Sequence, residues 1–277
     1  MQEPMHQENS RNVTILVTGG TGTLGRLVVA RLREADRQVR VLGRTAPATG
    51  IDGVEFAAAD LESGEGVEAA MAGIEVVVHC AGSGTGDEGK ARRLVEAAKL
   101  AGVRHIVYIS VVGADRMPVV SATDRRMFGY FAEKAGAERV ITESGIPWTS
   151  LRATQFHDLV FMVAEQMAKL PVVLLPRRMR VQPVDAGEVA DRLVELALGA
   201  PAGLVPDLAG PRIYDAAEVM RGYLRATGRR RPIVRIGLPG GAARAMLGGA
   251  NLSPDRAVGE HTWEEFLAER VGERVVV

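Results

Sequence analysis

The chain has 277 residues, 47% of them hydrophobic, so it can bury a substantial core as one domain or as one domain with a smaller appendage. Its 34 Lys and Arg balance 34 Asp and Glu, which excludes a global field that would recruit nucleic acid or an anionic membrane. The single cysteine, Cys80, excludes an intramolecular disulfide. We therefore expect a globular protein whose partner is a small-molecule substrate.

The chain begins with a polar segment, and we predict that residues 1–11 form a disordered tail. This segment lacks the apolar stretch of a secretory signal. No apolar run elsewhere approaches the roughly 20 residues that a membrane span needs. We therefore predict a cytoplasmic protein that does not associate with membranes.

Short apolar strands then alternate with helical segments. The strands are rich in β-branched residues, and the intervening segments have helical periodicity. This alternation predicts an α/β fold with a doubly wound parallel sheet over residues 12–155. The predicted strands cover residues 13–18, 38–43, 54–60, 75–82, 105–110 and 148–153, and the helical segments between them cover 25–35, 64–73, 89–102 and 127–145.

Beyond about residue 155 the regular alternation stops. Short Pro-bounded strands, 170–176 and 179–184, are followed by helices that Asp185 and Asp215 begin as N-caps. Residues 156–277 are therefore predicted to form a smaller substrate-binding or lid region, partly packed on the sheet.

A glycine-rich turn, TGGTGTLG at 18–25, follows the first strand and precedes the first helix. Glycines spaced three apart let backbone N–H groups and the helix N-terminus approach a pyrophosphate. The turn therefore predicts a Rossmann domain that binds a dinucleotide. The cofactor-binding residues expected in the turn are Gly19, Thr21, Gly22, Thr23, Leu24 and Gly25.

The end of the second strand indicates which dinucleotide is bound. An NAD-selective site places a carboxylate there for the ribose 2′-OH, whereas a 2′-phosphate needs a cation. Arg44 stands at this point with no acid nearby, so we predict NADP(H); a solvated surface arginine is the alternative. Asp60-Leu61, at the end of the third strand, is expected to lie at the edge of the adenine. Ala81-Gly82, at the end of the fourth strand, is expected to let the backbone pass close to the cofactor.

The turn TGGTGTLG resembles the signature of extended and atypical short-chain dehydrogenase/reductases. Two later segments, KAGAERVITESGIPWTSLRATQFHD at 134–158 and VQPVDAGEVADRL at 181–193, are similar to the NmrA-like branch of that family. The similarity extends from Val13 to the terminal TWEEFLAER. It implies an NAD(P)-binding fold, in a branch that contains both reductases and dinucleotide-binding redox sensors.

Tyr130 and Lys134 are the first candidates for catalysis. They lie four residues apart in a helical segment, hence on one face. A lysine there can bind the nicotinamide ribose and lower the phenol pKa from about 10, so that the tyrosine exchanges a proton with a carbonyl or alcohol oxygen. This is the dyad of active short-chain reductases. An aromatic anchor beside a solvated lysine is the alternative.

The third catalytic candidate, Ser110, departs from the family pattern. The resemblance places a catalytic hydroxyl just past the fifth strand, where this sequence has Val112. Ser110 is the only residue with a hydroxyl group in residues 109–113, and it lies two residues before the expected position. Loss of this donor would weaken stabilisation of the substrate oxygen, so activity depends on whether Ser110 replaces it.

No metal site is expected from the sequence. His79, His105 and His157 lie on different elements without metal-ligand spacing. His79 and His105 are interpreted as packed strand residues. His157 follows the sixth strand, where a doubly wound sheet lines its substrate crevice, so it is also a candidate for facing substrate.

Together these features predict an NADP(H)-dependent oxidoreductase acting on a small carbonyl, quinone or similar acceptor. We favour an enzyme because Tyr130 and Lys134 are scarce residue types at the dyad spacing. One alternative is a non-enzymatic NADP(H) sensor that passes the cofactor state to a protein partner. The other is a nucleotide-sugar epimerase or dehydratase. Such an enzyme needs a larger C-terminal domain and a Ser/Tyr/Lys set in which all three residues stand at the expected positions.

Overall fold

The computed structural model describes residues 13–46 and 53–275, so the predicted tail of residues 1–11 lies outside the described residues. The chain divides into two compact units built from interleaved segments. The boundary after residue 155 and the substrate-binding or lid role of residues 156–277 stay predictions. Among the described residues, the first unit contains those up to Ser110, Glu133–Leu151 and Val189–Val205, and the second contains Val111–Ala132, Arg152–Glu188 and those from Pro206 onward.

The described residues form strands and helices, which are numbered here in chain order. None of the helices in this part of the chain is long and apolar enough to cross a bilayer. The strands are β1 (Thr14–Thr18), β2 (Gln38–Gly43), β3 (Val54–Ala58), β4 (Val76–His79), β5 (His105–Val111), β6 (Trp148–Ala153), β7 (Val173–Pro176), β8 (Arg180–Val181), β9 (Gly203–Leu204), β10 (Tyr214–Asp215) and β11 (Ile233–Ile236). The helices are α1 (Thr23–Glu34), α2 (Val67–Ala70), α3 (Asp87–Ala101), α4 (Ala122–Thr142), α5 (His157–Met167), α6 (Ala186–Leu198), α7 (Ala216–Ala226), α8 (Gly241–Gly248) and α9 (Trp263–Val275), with a 3₁₀ turn at Pro254–Arg256.

Seven strands form one parallel sheet in the order β3-β2-β1-β4-β5-β6-β9. Strand β1 pairs in parallel with both β2 and β4. The predicted α/β fold with a doubly wound sheet is therefore confirmed. The strand order reverses between β1 and β4, and in such sheets the carboxyl ends of the two central strands border the ligand crevice.

The central strands are buried on both faces of the sheet. Leu16 of β1 belongs to a core cluster that includes Leu94 and Ala98 of α3. Its neighbours Ile15 and Val17 point to the opposite face by strand alternation, and they are also fully buried. This two-sided burial is typical of parallel sheets covered by helices, and it explains the continuous apolar runs in the sequence.

Two helices differ from their predicted bounds by three residues or more. Helix α4 begins at Ala122, before the predicted residue 127, because Ser121 and Asp124 form a capping box: the Asp124 N–H donates to the Ser121 hydroxyl at 2.9 Å and the Ser121 N–H to the Asp124 carboxylate at 3.2 Å. Helix α2 covers only Val67–Ala70 of the predicted 64–73, because the chain before it turns through Gly64 and Gly66 with φ of 90° and 72°.

The second unit has its own core and two small sheets. Strand β7 pairs in parallel with β11, and β8 pairs antiparallel with β10. The predicted N-caps are confirmed, since Asp185 accepts from the Gly187 N–H at 2.7 Å and Asp215 from the Ala217 N–H at 2.8 Å. The largest buried side chains of the core are Trp263, Tyr214 and Tyr223.

Candidate functional site

The glycine-rich turn joins β1 to α1, and the three of its glycines that are spaced three apart, Gly19, Gly22 and Gly25, have different surroundings. Gly19 has φ of 68°, and a Cβ there would lie 2.8 Å from the Ala81 nitrogen. A Cβ on Gly25 would overlap the carbonyl oxygen of Gly19. At Gly22 a Cβ would meet only that same oxygen, at 3.3 Å. Gly19 and Gly25 are therefore required by the protein's own packing, whereas Gly22 keeps the outer surface of the turn open.

The N-terminus of α1 is free of competing side chains. Its N-cap is Gly22, which supplies no capping oxygen, and its first turn carries no acidic residue. Thr21, Gly22 and Thr23 are exposed, whereas Leu24 and Gly25 are buried. Unsatisfied N–H groups at the positive end of a helix dipole suit a phosphate. The turn therefore fits the pyrophosphate of a dinucleotide.

Lys134 is buried between β5 and the segment that follows β4. Its side-chain nitrogen lies 3.6 Å from Asp87 Oδ2 and 3.4 Å from the carbonyl oxygen of Ile109, and the residue is only 5% exposed. A Cβ on Gly82 would lie 2.8 Å from that nitrogen and 3.0 Å from Asp87 Oδ2. The predicted residues Gly82 and Lys134 are thus brought together, and the missing side chain of Gly82 leaves room over the ion pair.

Asp87 connects two lysines. Its Oδ1 lies 3.4 Å from the Lys90 nitrogen and accepts from the Ser83 N–H at 3.1 Å, while Oδ2 faces Lys134. Burial lowers the pKa of Lys134, and the neighbouring Asp87 opposes this by favouring the charged form. Lys90 also lies 3.5 Å from Glu62 Oε2, so Asp87 is the carboxylate that pairs with the buried Lys134. Neither Asp87 nor Lys90 was predicted from the sequence, because charged residues in the first turns of a helix are ordinary.

His79 ties the end of β4 to the end of β1. Its Nδ1 lies 2.7 Å from the Thr18 hydroxyl, which also accepts from the Ala81 N–H at 3.2 Å. Burial, with a further contribution from nearby Lys134, lowers the pKa of His79 to about 3. The ring stacks on Tyr108 with centroids 5.4 Å apart. His79 is therefore a neutral, packed residue that fixes the loop carrying Ala81.

The two hydroxyl candidates have contrasting environments. Tyr130 lies on α4, one helical turn before Lys134, and is 39% exposed. Ser110 lies in β5, is 4% exposed, and its hydroxyl has no hydrogen-bond partner among the described residues. Val112 is fully buried, so an apolar side chain fills the position where the family resemblance expects a hydroxyl. The catalytic roles of Tyr130 and Ser110 stay predictions.

The remaining predicted cofactor residues follow β2 and β3. Arg44 comes directly after β2 and is exposed, and no residue in 13–46 or 53–275 forms an ion pair with it. Asp60 accepts from the Glu62 N–H at 2.8 Å in the turn after β3. Leu61 is 6% exposed and belongs to the core, so only its backbone is available to a ligand. The contacts of these residues with a cofactor stay predictions.

Curated relatives are similar over most of the chain. The chain is 30% identical over 240 residues to the (4-alkanoyl-5-oxo-2,5-dihydrofuran-3-yl)methyl phosphate reductase of Streptomyces griseus, covering 84% of this chain and 80% of that protein. The NAD(P)H azoreductase of Xenophilus azovorans matches with the same identity and coverage. Both relatives are matched over four fifths of their length.

A solved structure has the same fold as this chain, and a family model identifies the family to which the chain belongs. The NADPH-dependent quinone oxidoreductase of Escherichia coli, solved with NADPH, has a TM-score of 0.75 at 20% identity, covering 92% of this chain and 99% of that one, which establishes the shared fold. The model of the NAD(P)H-binding family matches residues 19–171, which include all the glycines of the turn, Asp87 and Lys134. The classification predicted from the sequence, an atypical short-chain dehydrogenase/reductase with an NAD(P)-binding Rossmann domain, is confirmed, and the chain belongs to the NAD(P)H-binding family.

Proposed function

We propose that this protein is a cytoplasmic NADP(H)-dependent oxidoreductase that reduces a small carbonyl, quinone or similar organic acceptor. The observation that carries the proposal is the buried Lys134–Asp87 pair beside Gly82, next to a glycine turn whose outer surface is open. The names of the two curated relatives, both reductases, support the same class of reaction. The epimerase alternative is weaker, because neither of these relatives is named as an epimerase.

The protein's own residues bind the cofactor and supply a proton. When bound, NADPH supplies a hydride to the acceptor. Lys134 would hold the cofactor through a charge that Asp87 stabilises. Tyr130 would donate its Oη proton to the acceptor oxygen, and its exposure would allow solvent to reprotonate it.

The choice of NADPH over NADH depends on Arg44. We expect tighter binding of NADPH than of NADH, and Arg44→Ala should weaken NADPH binding about tenfold while leaving NADH unchanged, because only the 2′-phosphate accepts from the guanidinium. Calorimetric titration with both cofactors measures the effect. Arg92→Ala is the control, since Arg92 is exposed on α3 and pairs with Glu88. Equal affinities for the two cofactors in the unmodified protein would contradict this assignment.

Tyr130→Phe separates an enzyme from a sensor. The variant loses only the proton donor, so we expect the rate of acceptor reduction to fall by about 100-fold or more at unchanged affinity for NADPH. Stopped-flow absorbance of bound NADPH, mixed with a panel of quinones, aldehydes and ketones, measures the rate. If no acceptor oxidises NADPH above background in the unmodified protein, the enzyme is rejected in favour of the sensor. If Tyr130→Phe keeps the full rate, Tyr130 is not the donor.

A further inference from the structure

Three side chains that can ligate a metal meet in the second unit. His157 is the first residue of α5, Asp185 directly precedes α6, and His261 lies two residues before α9. One ligand atom of each lies within 4.8 Å of those of the other two. His261 Nδ1 is 3.5 Å from Asp185 Oδ2. The cluster therefore joins the starts of three helices that are far apart in the sequence.

His157 has buried nitrogens that nothing else in the described chain satisfies. The residue is fully buried, and neither ring nitrogen has a hydrogen-bond partner among the described residues. A neutral imidazole carries one donor and one acceptor, and burying both without partners is costly. Phe266 and Trp263 stack on the ring at centroid distances of 5.1 and 6.0 Å. The ring is thus held in place by packing while its polar atoms lack partners.

The other two side chains are oriented by residues around them. Asp185 Oδ1 accepts from the N–H groups of Gly187 and Glu188 at 2.7 and 3.2 Å, which leaves Oδ2 for the cluster. His261 Nε2 lies 3.4 Å from Glu269 Oε1, so Nδ1 is the nitrogen that faces Asp185. A carboxylate behind a histidine is the usual arrangement around metal-bound imidazoles, since it fixes the tautomer.

We propose that His157, Asp185 and His261 bind a divalent first-row metal ion, with Zn²⁺ the ion that the ligand set suits best. Two imidazole nitrogens and one carboxylate oxygen match its preferences. Bonds of about 2.0–2.1 Å place tetrahedral ligands roughly 3.4 Å apart. The His261–Asp185 separation of 3.5 Å already meets that spacing, and a nitrogen of His157 lies within 4.8 Å of both ligand atoms.

Charge and access are compatible with this ion. A cation near three helix N-termini meets the positive ends of their dipoles, which disfavours it. The carboxylates of Asp185 and Glu269 offset this effect, together with Glu188, whose Oε1 accepts from the His261 backbone N–H at 2.9 Å. The side chains of Asp185 and His261 are 25% and 23% exposed, so an ion can enter. Three protein ligands leave a fourth position for water or a small ligand.

Metal content of the tag-free, full-length chain tests the proposal independently of any reductase activity. The protein is stripped with a chelator, equilibrated with Zn²⁺ against a weak competing chelator, and analysed for zinc per chain. We expect about one Zn²⁺ per chain. Asp185→Asn keeps an oxygen that caps α6 but removes the anionic ligand, so we expect it to weaken zinc binding about 100-fold or more.

A second ligand variant and a matched control complete the experiment. His261→Gln should weaken zinc binding as much as Asp185→Asn, and it avoids the fully buried His157. Asp158→Asn makes the same chemical change next to His157 but outside the cluster, and it should keep normal zinc binding. Zn²⁺ should also raise the Tm of the unmodified chain and of Asp158→Asn but not of the two ligand variants. Absence of stoichiometric zinc in the unmodified chain, or unchanged affinity in both ligand variants, would overturn the proposal.

Discussion

Replacing Lys134 with Met is expected to lower the free energy of unfolding by about 3 kcal/mol and turnover by about 100-fold. Met fills a similar volume without charge, so Asp87 Oδ2 would stay buried without the cation that now lies 3.6 Å away. Lys90 still lies 3.4 Å from Asp87 Oδ1, which limits the loss of stability. Turnover falls because the same charge is proposed to hold the cofactor.

A double-mutant cycle separates the ion pair from other effects of Lys134→Met. Urea denaturation of Lys134→Met, Asp87→Asn and the double variant should show that the double variant loses about 1–3 kcal/mol less than the sum of the single losses. Lys99→Met, at an exposed position of α3, is the control and should change stability little. Additive losses together with full turnover in Lys134→Met would contradict the role given to this pair.

Gly22→Val is expected to abolish measurable NADPH binding, by about 100-fold or more in affinity, and to leave the protein folded. Gly22 has φ of −80° and ψ of 175°, which any residue can adopt. A side chain there meets only the Gly19 carbonyl oxygen within the protein, so it extends into the space that a pyrophosphate would occupy. Calorimetry measures the affinity, and circular dichroism with a thermal melt reports the fold.

Two other glycines provide the controls for this experiment. Gly25→Ala should destabilise the protein, because its Cβ would overlap the backbone of Gly19. Gly272→Val changes an exposed position of α9 with open space around it, and NADPH affinity should not change. If Gly22→Val retains affinity within about threefold, the turn has only a structural role.

The sequence predicted the six long strands of the sheet because each carries its own signal. Strand β5 is buried along its whole length, so burial appears directly as an apolar run. Strand β9 was not predicted. It is the two-residue segment Gly203–Leu204, held by pairing with Thr149 and Ser150 of β6 and not by any pattern of its own.

The candidate site was predictable where its residues are contiguous and unpredictable where the fold assembles them. The glycine turn is a local motif, so its position between a strand and a helix was predicted correctly. Asp87 meets Lys134 only because α3 and α4 bring the two together. The histidine cluster is a similar case. His157 has no metal-ligand spacing in the sequence, because Asp185 and His261 reach it from other helices.

The interleaving of the two units has a consequence for how the protein folds during synthesis. The first unit includes Val189–Val205, which the ribosome makes only after Arg152–Glu188 of the second unit. Until β9 emerges, β6 has an open edge where another chain can pair. The first unit therefore cannot complete its sheet until β9 has been synthesised, which favours slow folding. The edge of β6 stays exposed during that time, so the nascent chain can aggregate during translation.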